Sequence, residues 1–233
     1  ARKLISEEKL GADNHTDLLI LSFSSTDYVG HKFGPYAAET KSTFIELDAT
    51  ISNLLEFLDQ NIGMENYLIM LTSDHGAATS PKLIEKLRLK GGNFNSALVK
   101  EKLDSTLFNR FGVNGIIAKY SNMQFYLNFN KLDSFKLSKY EVYRSIKEVL
   151  LDEPSIKEVF DINELNQSYT THERTMLING IHPKRSGDIF LLLNPGYVEW
   201  SRKSGTSHGT HYNYDTHVPV IFYGSKINNA QIF

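Results

Sequence analysis

The chain has 233 residues, enough for one large domain or two small ones. Its 25 basic and 27 acidic residues leave a net charge of −2, which argues against a protein that coats nucleic acid. Cysteine is absent, excluding disulfides and thiolate metal sites, and no apolar run approaches the roughly 18 residues of a membrane span.

Asp17 to Phe23 (DLLILSF) is a nearly unbroken apolar run. It reads as a strand buried on both faces, as in a parallel sheet. Over residues 43–59 the rhythm changes. Phe44, Leu47, Ile51, Leu54, Leu55 and Leu58 recur at spacings of three and four, the stripe of an amphipathic helix. Gly63 and Asn66 punctuate the chain, and Tyr67 to Leu71 (YLIML) reads as a second buried strand ending at Thr72-Ser73-Asp74. Strand, helix, strand in this order predicts a right-handed parallel crossover.

Residues 96–111 read as a helix with Leu98, Val99, Leu103, Leu107 and Phe111 on its apolar side. Gly112 to Gly115 mark a turn, and 116–120 with 124–129 read as a hairpin. Ser138 with Glu141 resembles a capping box that opens a helix through about Leu151, and Pro154 stops it. Asp188 to Leu193 and Val218 to Tyr223 are again strand-like. The expected layout is one α/β domain over 1–233, a mostly parallel sheet flanked by helices, with an α+β insertion over roughly 79–187.

Three short segments carry candidate chemistry, each beside a predicted core strand. In Ser24-Ser25-Thr26-Asp27-Tyr28-Val29-Gly30-His31, Asp27 and His31 share a face if the chain turns into a helix. Carboxylate oxygen and imidazole nitrogen are good zinc ligands. The blander reading is a turn-forming Asp and a surface His. In Thr72-Ser73-Asp74-His75-Gly76 the two side chains can reach one ion only if the chain bends, which Gly76 permits. In Gly205-Thr206-Ser207-His208-Gly209, His208 reads as a ligand on an exposed loop. Four of the eight histidines are His75, His208, His211 and His217, so the histidine is concentrated at two of these segments. For His211 exposure is the preferred reading, and for His217, just before a strand, packing or a place behind a ligand. Asp215 either orients a ligand histidine or caps a turn. Oxygen and nitrogen donors without sulfur, at the carboxyl ends of strands, favour a catalytic hydrolytic site over a structural one.

The phrases STDYVGH, TSDHG and TSHGTHYNYDTHVPVIFYG closely resemble the alkaline phosphatase superfamily. Within it they look most like the type I phosphodiesterase/nucleotide pyrophosphatase family, in the branch of exported bacterial PafA-like alkaline phosphatases. The likeness is strongest at the three motifs. His182-Pro183-Lys184-Arg185-Ser186-Gly187-Asp188 also resembles a family phrase that leads into a strand.

The resemblance implies two divalent ions, zinc by expectation. One is held by Asp27, His31 and His208, the other by Asp74 and His75, with Asp215 and His217 behind the ligands. It implies hydrolysis of phosphate esters, monoesters favoured, and a small phosphorylated substrate. It implies export to the periplasm, although no secretory leader is visible in the sequence. The family's threonine nucleophile, a further aspartate ligand and the basic residues that grip phosphate would precede Ala1, on a missing half of the same polypeptide. The final helix would be cut off near Phe233. Thr26, Thr72 and Ser207 read as turn hydroxyls rather than substitutes for that nucleophile. Two other classes remain open. One is a non-catalytic module that kept the sheet and lost the chemistry. The other is a binder of an aromatic or carbohydrate ligand through Tyr212, Tyr214 and Tyr223, whose blander role is packing.

Overall fold

The computed structural model describes residues 1–162, 172–182, 184–202 and 204–227. In chain order the elements are α1 (Arg2–Glu7), α2 (Ser25–Phe33), α3 (Ala38–Asn61), β1 (Leu68–Thr72), α4 (Pro81–Lys86), β2 (Gly92–Phe94), α5 (Ser96–Phe111), β3 (Ile117–Ser121) and β4 (Gln124–Leu127). They continue with α6 (Phe129–Ser134), α7 (Lys139–Leu151), β5 (Ile156–Asp161), α8 (His172–Gly180), β6 (Ile189–Leu193), β7 (Tyr197–Glu199), α9 (Asn213–Thr216) and β8 (Val220–Gly224). The class is mixed α/β, with small sheets. No helix of the described residues is long and apolar enough to cross a membrane.

The backbone divides into two units. The first comprises Ala1–Thr79, Ser204–His208 and Asn213–Phe233; the second comprises Ser80–Lys203 and Gly209–Tyr212.

In the first unit α2 and α3 meet at a corner turned by Gly34, whose φ of 91° lies where side chains are disfavoured. The Thr40 hydroxyl, buried at that corner, donates to the Gly34 carbonyl at 2.7 Å. β1 pairs antiparallel with β8, Leu68 opposite Gly224 and Thr72 opposite Val220. Residues 17–23, expected as a core strand, join no ladder among the described residues, so the parallel crossover through α3 is not formed. The physical reason is visible in exposure. A strand apolar on both faces needs neighbours on both, and Leu18 and Ile20 are 84% and 81% exposed.

The second unit has its own core. A four-stranded sheet runs in the order β3-β4-β6-β5, all pairs antiparallel, and a separate parallel pair joins β2 to β7. β6 (IFLLL) is buried along its whole length because it lies between two strands and under two apolar layers. Its side chains alternate. Ile189, Leu191 and Leu193 enter one cluster with Leu103, Leu107, Phe125 and Ile146, while Phe190 and Leu192 enter another with Phe160. Leu177 and Ile178 of α8 pack against that second cluster. The hairpin β3–β4 and the helix α5 form where the periodicity placed them. Asn95 caps α5 by accepting from the Leu98 N–H at 3.2 Å, and Gly112 ends it in the left-handed region. The expected capping serine also acts: Ser138 accepts from the Glu141 N–H at 3.4 Å. From there α7 buries Val142, Ile146 and Leu150 at four-residue spacing. Residues 228–233, where the family's final helix was expected to be cut off, and Pro183 of the strand-leading phrase lie outside the described residues.

Candidate functional site

The candidate ligands of the three motif segments all belong to the first unit, and the side chains of Asp27, His75 and His208 converge. The first forms α2, so Asp27 and His31 stand one turn apart on one face, with Asp27 Oδ1 3.4 Å from His31 Nε2. His31 Nδ1 lies 2.9 Å from the carbonyl oxygen of Thr206, across 175 residues of sequence. A carbonyl only accepts, so Nδ1 carries a proton, and Nε2 is the nitrogen that faces Asp27. Metal-ligating histidines are oriented in this way, through a bond from the other ring nitrogen.

The second segment follows β1. His75 repeats the device: its Nδ1 donates to the Gly76 carbonyl at 2.8 Å, and its Nε2 lies 3.6 Å from Asp74 Oδ2. The Asp74 side chain is 86% exposed and accepts from the His75 N–H at 3.1 Å. Bonding from backbone N–H, its own first, holds its carboxyl below the usual carboxylate range, and the neighbouring His75 adds to this. Gly76 was expected to allow a bend. Its φ is not positive, and the reason for glycine is close approach. A Cβ there would collide with the Tyr214 carbonyl oxygen, and the Gly76 N–H donates to the Asp215 carbonyl at 2.7 Å.

The third segment brings His208 to both others. Its Nε2 is 3.7 Å from Asp27 Oδ1, and its ring stacks on His75 at 3.4 Å between centroids, 13° from parallel. The His31 ring centroid is 5.0 Å away. Burial lowers the pKa of His208, with His75 and His31 pushing the same way; Asp27 and Asp215 oppose them. Asp27, His75 and His208 each offer an atom within 4.8 Å of the others, a spacing that one cation could bridge. The tightest trio therefore crosses the two ligand sets that the sequence suggested. Asp215 is 3% exposed in α9 and close enough to His208 to act on its charge. His217 lies exposed just beyond α9, its N–H bonded to the Asn213 carbonyl at 2.9 Å.

Two contributions were not legible from residue types. The Thr206 carbonyl orients His31, and any residue carries a carbonyl. Gly205 has φ +84°, and a Cβ there would collide with the His31 carbonyl oxygen. The loop can lie against α2 only without a side chain. The candidate hydroxyls turn to nearby carbonyls instead: Thr26 to Phe23 at 3.2 Å, Thr72 to Ser73 at 3.4 Å and Ser207 to His208 at 3.5 Å.

Comparison with known proteins identifies the family. The chain is 36% identical over 228 residues to a Myroides odoratus protein named calcium-transporting ATPase, covering 96% of this chain and 42% of that one. It is 35% identical over 228 residues to the alkaline phosphatase PafA of Elizabethkingia meningoseptica, covering 97% and 42% respectively. The crystal structure of wild-type PafA superposes with a TM-score of 0.91 at 34% identity, over 97% of this chain and 43% of that chain. The chain thus spans less than half the length of these relatives. The model of the type I phosphodiesterase/nucleotide pyrophosphatase family matches residues 1–215, and the chain belongs to that family.

Proposed function

We propose that the loop cluster beyond β1 is the metal-holding part of a phosphoric-ester hydrolase, with zinc as the metal and phosphate monoesters as the preferred substrates. One observation carries this reading. Three segments far apart in sequence deliver two carboxylates and three imidazoles to one place, and two of those imidazoles have Nδ1 engaged by a backbone carbonyl.

The donor set fits a zinc-like ion: oxygen and nitrogen, no sulfur, partly exposed. Asp27, His31 and His208 would hold one ion, Asp74 and His75 a second. Bound there, such ions supply concentrated positive charge for an anionic ester and its leaving oxygen. That charge has to be local, because the chain itself carries a net −2. The chain's own residues prepare the ligands. Thr206 and Gly76 hold the protons of His31 and His75 on Nδ1. Asp215, buried near His208, attracts positive charge at that ring, and its carbonyl ties α9 to the second motif. With Thr26, Thr72 and Ser207 turned to carbonyls, the reading places the attacking hydroxyl, and the groups that grip phosphate, on polypeptide outside these 233 residues. Export to the periplasm goes with it.

Zinc titration of the metal-free chain tests the reading, by calorimetry and by metal analysis after gel filtration. Zinc should bind, with the Asp74–His75 side the weaker. His208→Ala should lower the affinity by more than tenfold, and Asp215→Asn by about 10–100-fold, as outer partners of metal ligands do. The chain alone should not turn over p-nitrophenyl phosphate. Zinc uptake indifferent to His208→Ala would sink the site. Turnover abolished by Asp74→Ala would place the nucleophile within the chain after all.

A further inference from the structure

The second unit carries a surface that the metal site does not use. From the last residues of α4 into the turn before β2 the chain reads Glu85-Lys86-Leu87-Arg88-Leu89-Lys90, and all six residues are exposed. Leu87 and Leu89 show 55% and 60% of their surface to solvent. Lys86, Arg88 and Lys90 alternate with them, Lys82 stands one turn back in α4, and Glu85 is the one carboxylate among them. Among the described residues none of these four cations forms an ion pair.

The turn is held at both ends. Pro81 and Ile84 anchor α4 in the interior of the unit. The Leu87 N–H donates to Leu83 at 2.9 Å and the Leu89 N–H to Ile84 at 3.1 Å, with Arg88 in the left-handed region at φ 54°. On the far side the Gly92 N–H donates to the Gly196 carbonyl at 3.0 Å, and a Cβ on Gly91 would come within 2.6 Å of that carbonyl oxygen. The leucines are therefore presented outward by a fixed backbone, and little further ordering is needed for them to engage a partner.

From this arrangement we infer that the turn 85–90 is an anchor for an anionic lipid surface. Leucine side chains would enter the boundary between headgroups and acyl chains, and the flanking cations would stay at the level of the lipid phosphates. The charge pattern selects this occupant over a protein. The first unit shows what an apolar surface without cations looks like: Leu68, Met70, Val220 and Phe222 are exposed on neighbouring strands. Apolar residues interleaved with three cations would leave those charges desolvated in a protein core. A soluble polyanion would engage the cations and gain nothing from the leucines. The overall charge of −2 makes this positive turn a local feature.

Sedimentation of the 233-residue chain with phosphatidylcholine vesicles, with and without phosphatidylglycerol, tests the inference. Partition should need the anionic lipid and should fall about fivefold for each of Lys86, Arg88 and Lys90 changed to Gln. The double variant Leu87→Ser, Leu89→Ser, which leaves the charge unchanged, should lower it by at least about tenfold. Both leucines are exposed, so the thermal melt of that variant should match the parent. Equal uptake by pure phosphatidylcholine would assign the adhesion to the apolar strands of the first unit and overturn the inference. Binding that follows the cations but ignores the leucines would make the turn a polyanion site and overturn it as well, as would no binding at all.

Discussion

The two units divide chemistry from stability. In the second, Leu103, Leu107, Phe125, Ile146 and Ile189 are wholly buried within one cluster spanning both helices and the sheet. In the first, among the described residues, the buried apolar side chains are Ile5, Leu58 and Ala78, and the strand residues Leu68, Met70, Val220 and Phe222 face solvent. Yet the first unit holds all five candidate metal ligands. The side chains of the site are held by backbone hydrogen bonds and close glycine contacts. The segment 17–23 shares the exposure of those strands: among the described residues, Leu18 and Ile20 of one face stand exposed and the other face is only partly covered.

The contrast is broken or sharpened most strongly by core truncation. Phe125→Ala in the second unit should cost about 3–5 kcal/mol, and Leu68→Ala in the first should stay within about 0.5 kcal/mol, read from urea unfolding. Comparable losses from both would mean that the strands of the first unit are buried in solution and that the contrast is false. Next in size is the glycine pair. Gly205→Ala would force a Cβ at φ +84° into the His31 carbonyl, whereas Gly209→Ala, at φ +105°, meets nothing within 4 Å. Each substitution carries a backbone strain of about 1–3 kcal/mol. Only Gly205→Ala should also displace α2 and weaken zinc binding by more than tenfold. Equal effects on zinc would show that the loop's approach to α2 does not set the position of His31.

Much of the second unit was legible because its signals are local. The α5 stripe, the Ser138 cap and the β3–β4 hairpin are each specified within a few residues and packed by their own unit. β5 escaped notice because Lys157 and Glu158 interrupt its apolar run. β2 and β7 are three residues each, too short for any period to show. At the site, the ligand types were readable from their place after apolar strands, but their grouping was not. The stack of His75 on His208 depends on how two loops 133 positions apart meet. α2 was readable only conditionally, since it buries none of its residues and so shows no stripe. Residues 17–23 misled because pattern reports the burial a strand is suited to, not whether a neighbour is present.

The smallest predicted effect concerns electrostatics inside the second unit. Asp188 opens β6, and its Oδ2 accepts from the Leu127 N–H at 2.7 Å. Burial raises its pKa, and the nearby Asp161 adds to this; the Leu127 N–H and Lys139 pull the other way without cancelling it. A carboxyl raised in the folded state binds protons more tightly than in the unfolded chain. Its contribution to stability therefore grows as pH falls from the raised value toward the ordinary one near 3.8, and at neutral pH its charge is a net cost. Asp188→Asn keeps an oxygen for the Leu127 N–H and removes that charge. The variant should melt above the parent at pH 7, and the gap should close as pH is lowered through the ordinary aspartate range. A gap that stays constant with pH would mean that the folded second unit does not disfavour the Asp188 charge. A variant less stable than the parent at pH 7 would mean that the attraction to Lys139 outweighs burial, and that this unit holds its charges as firmly as its apolar core.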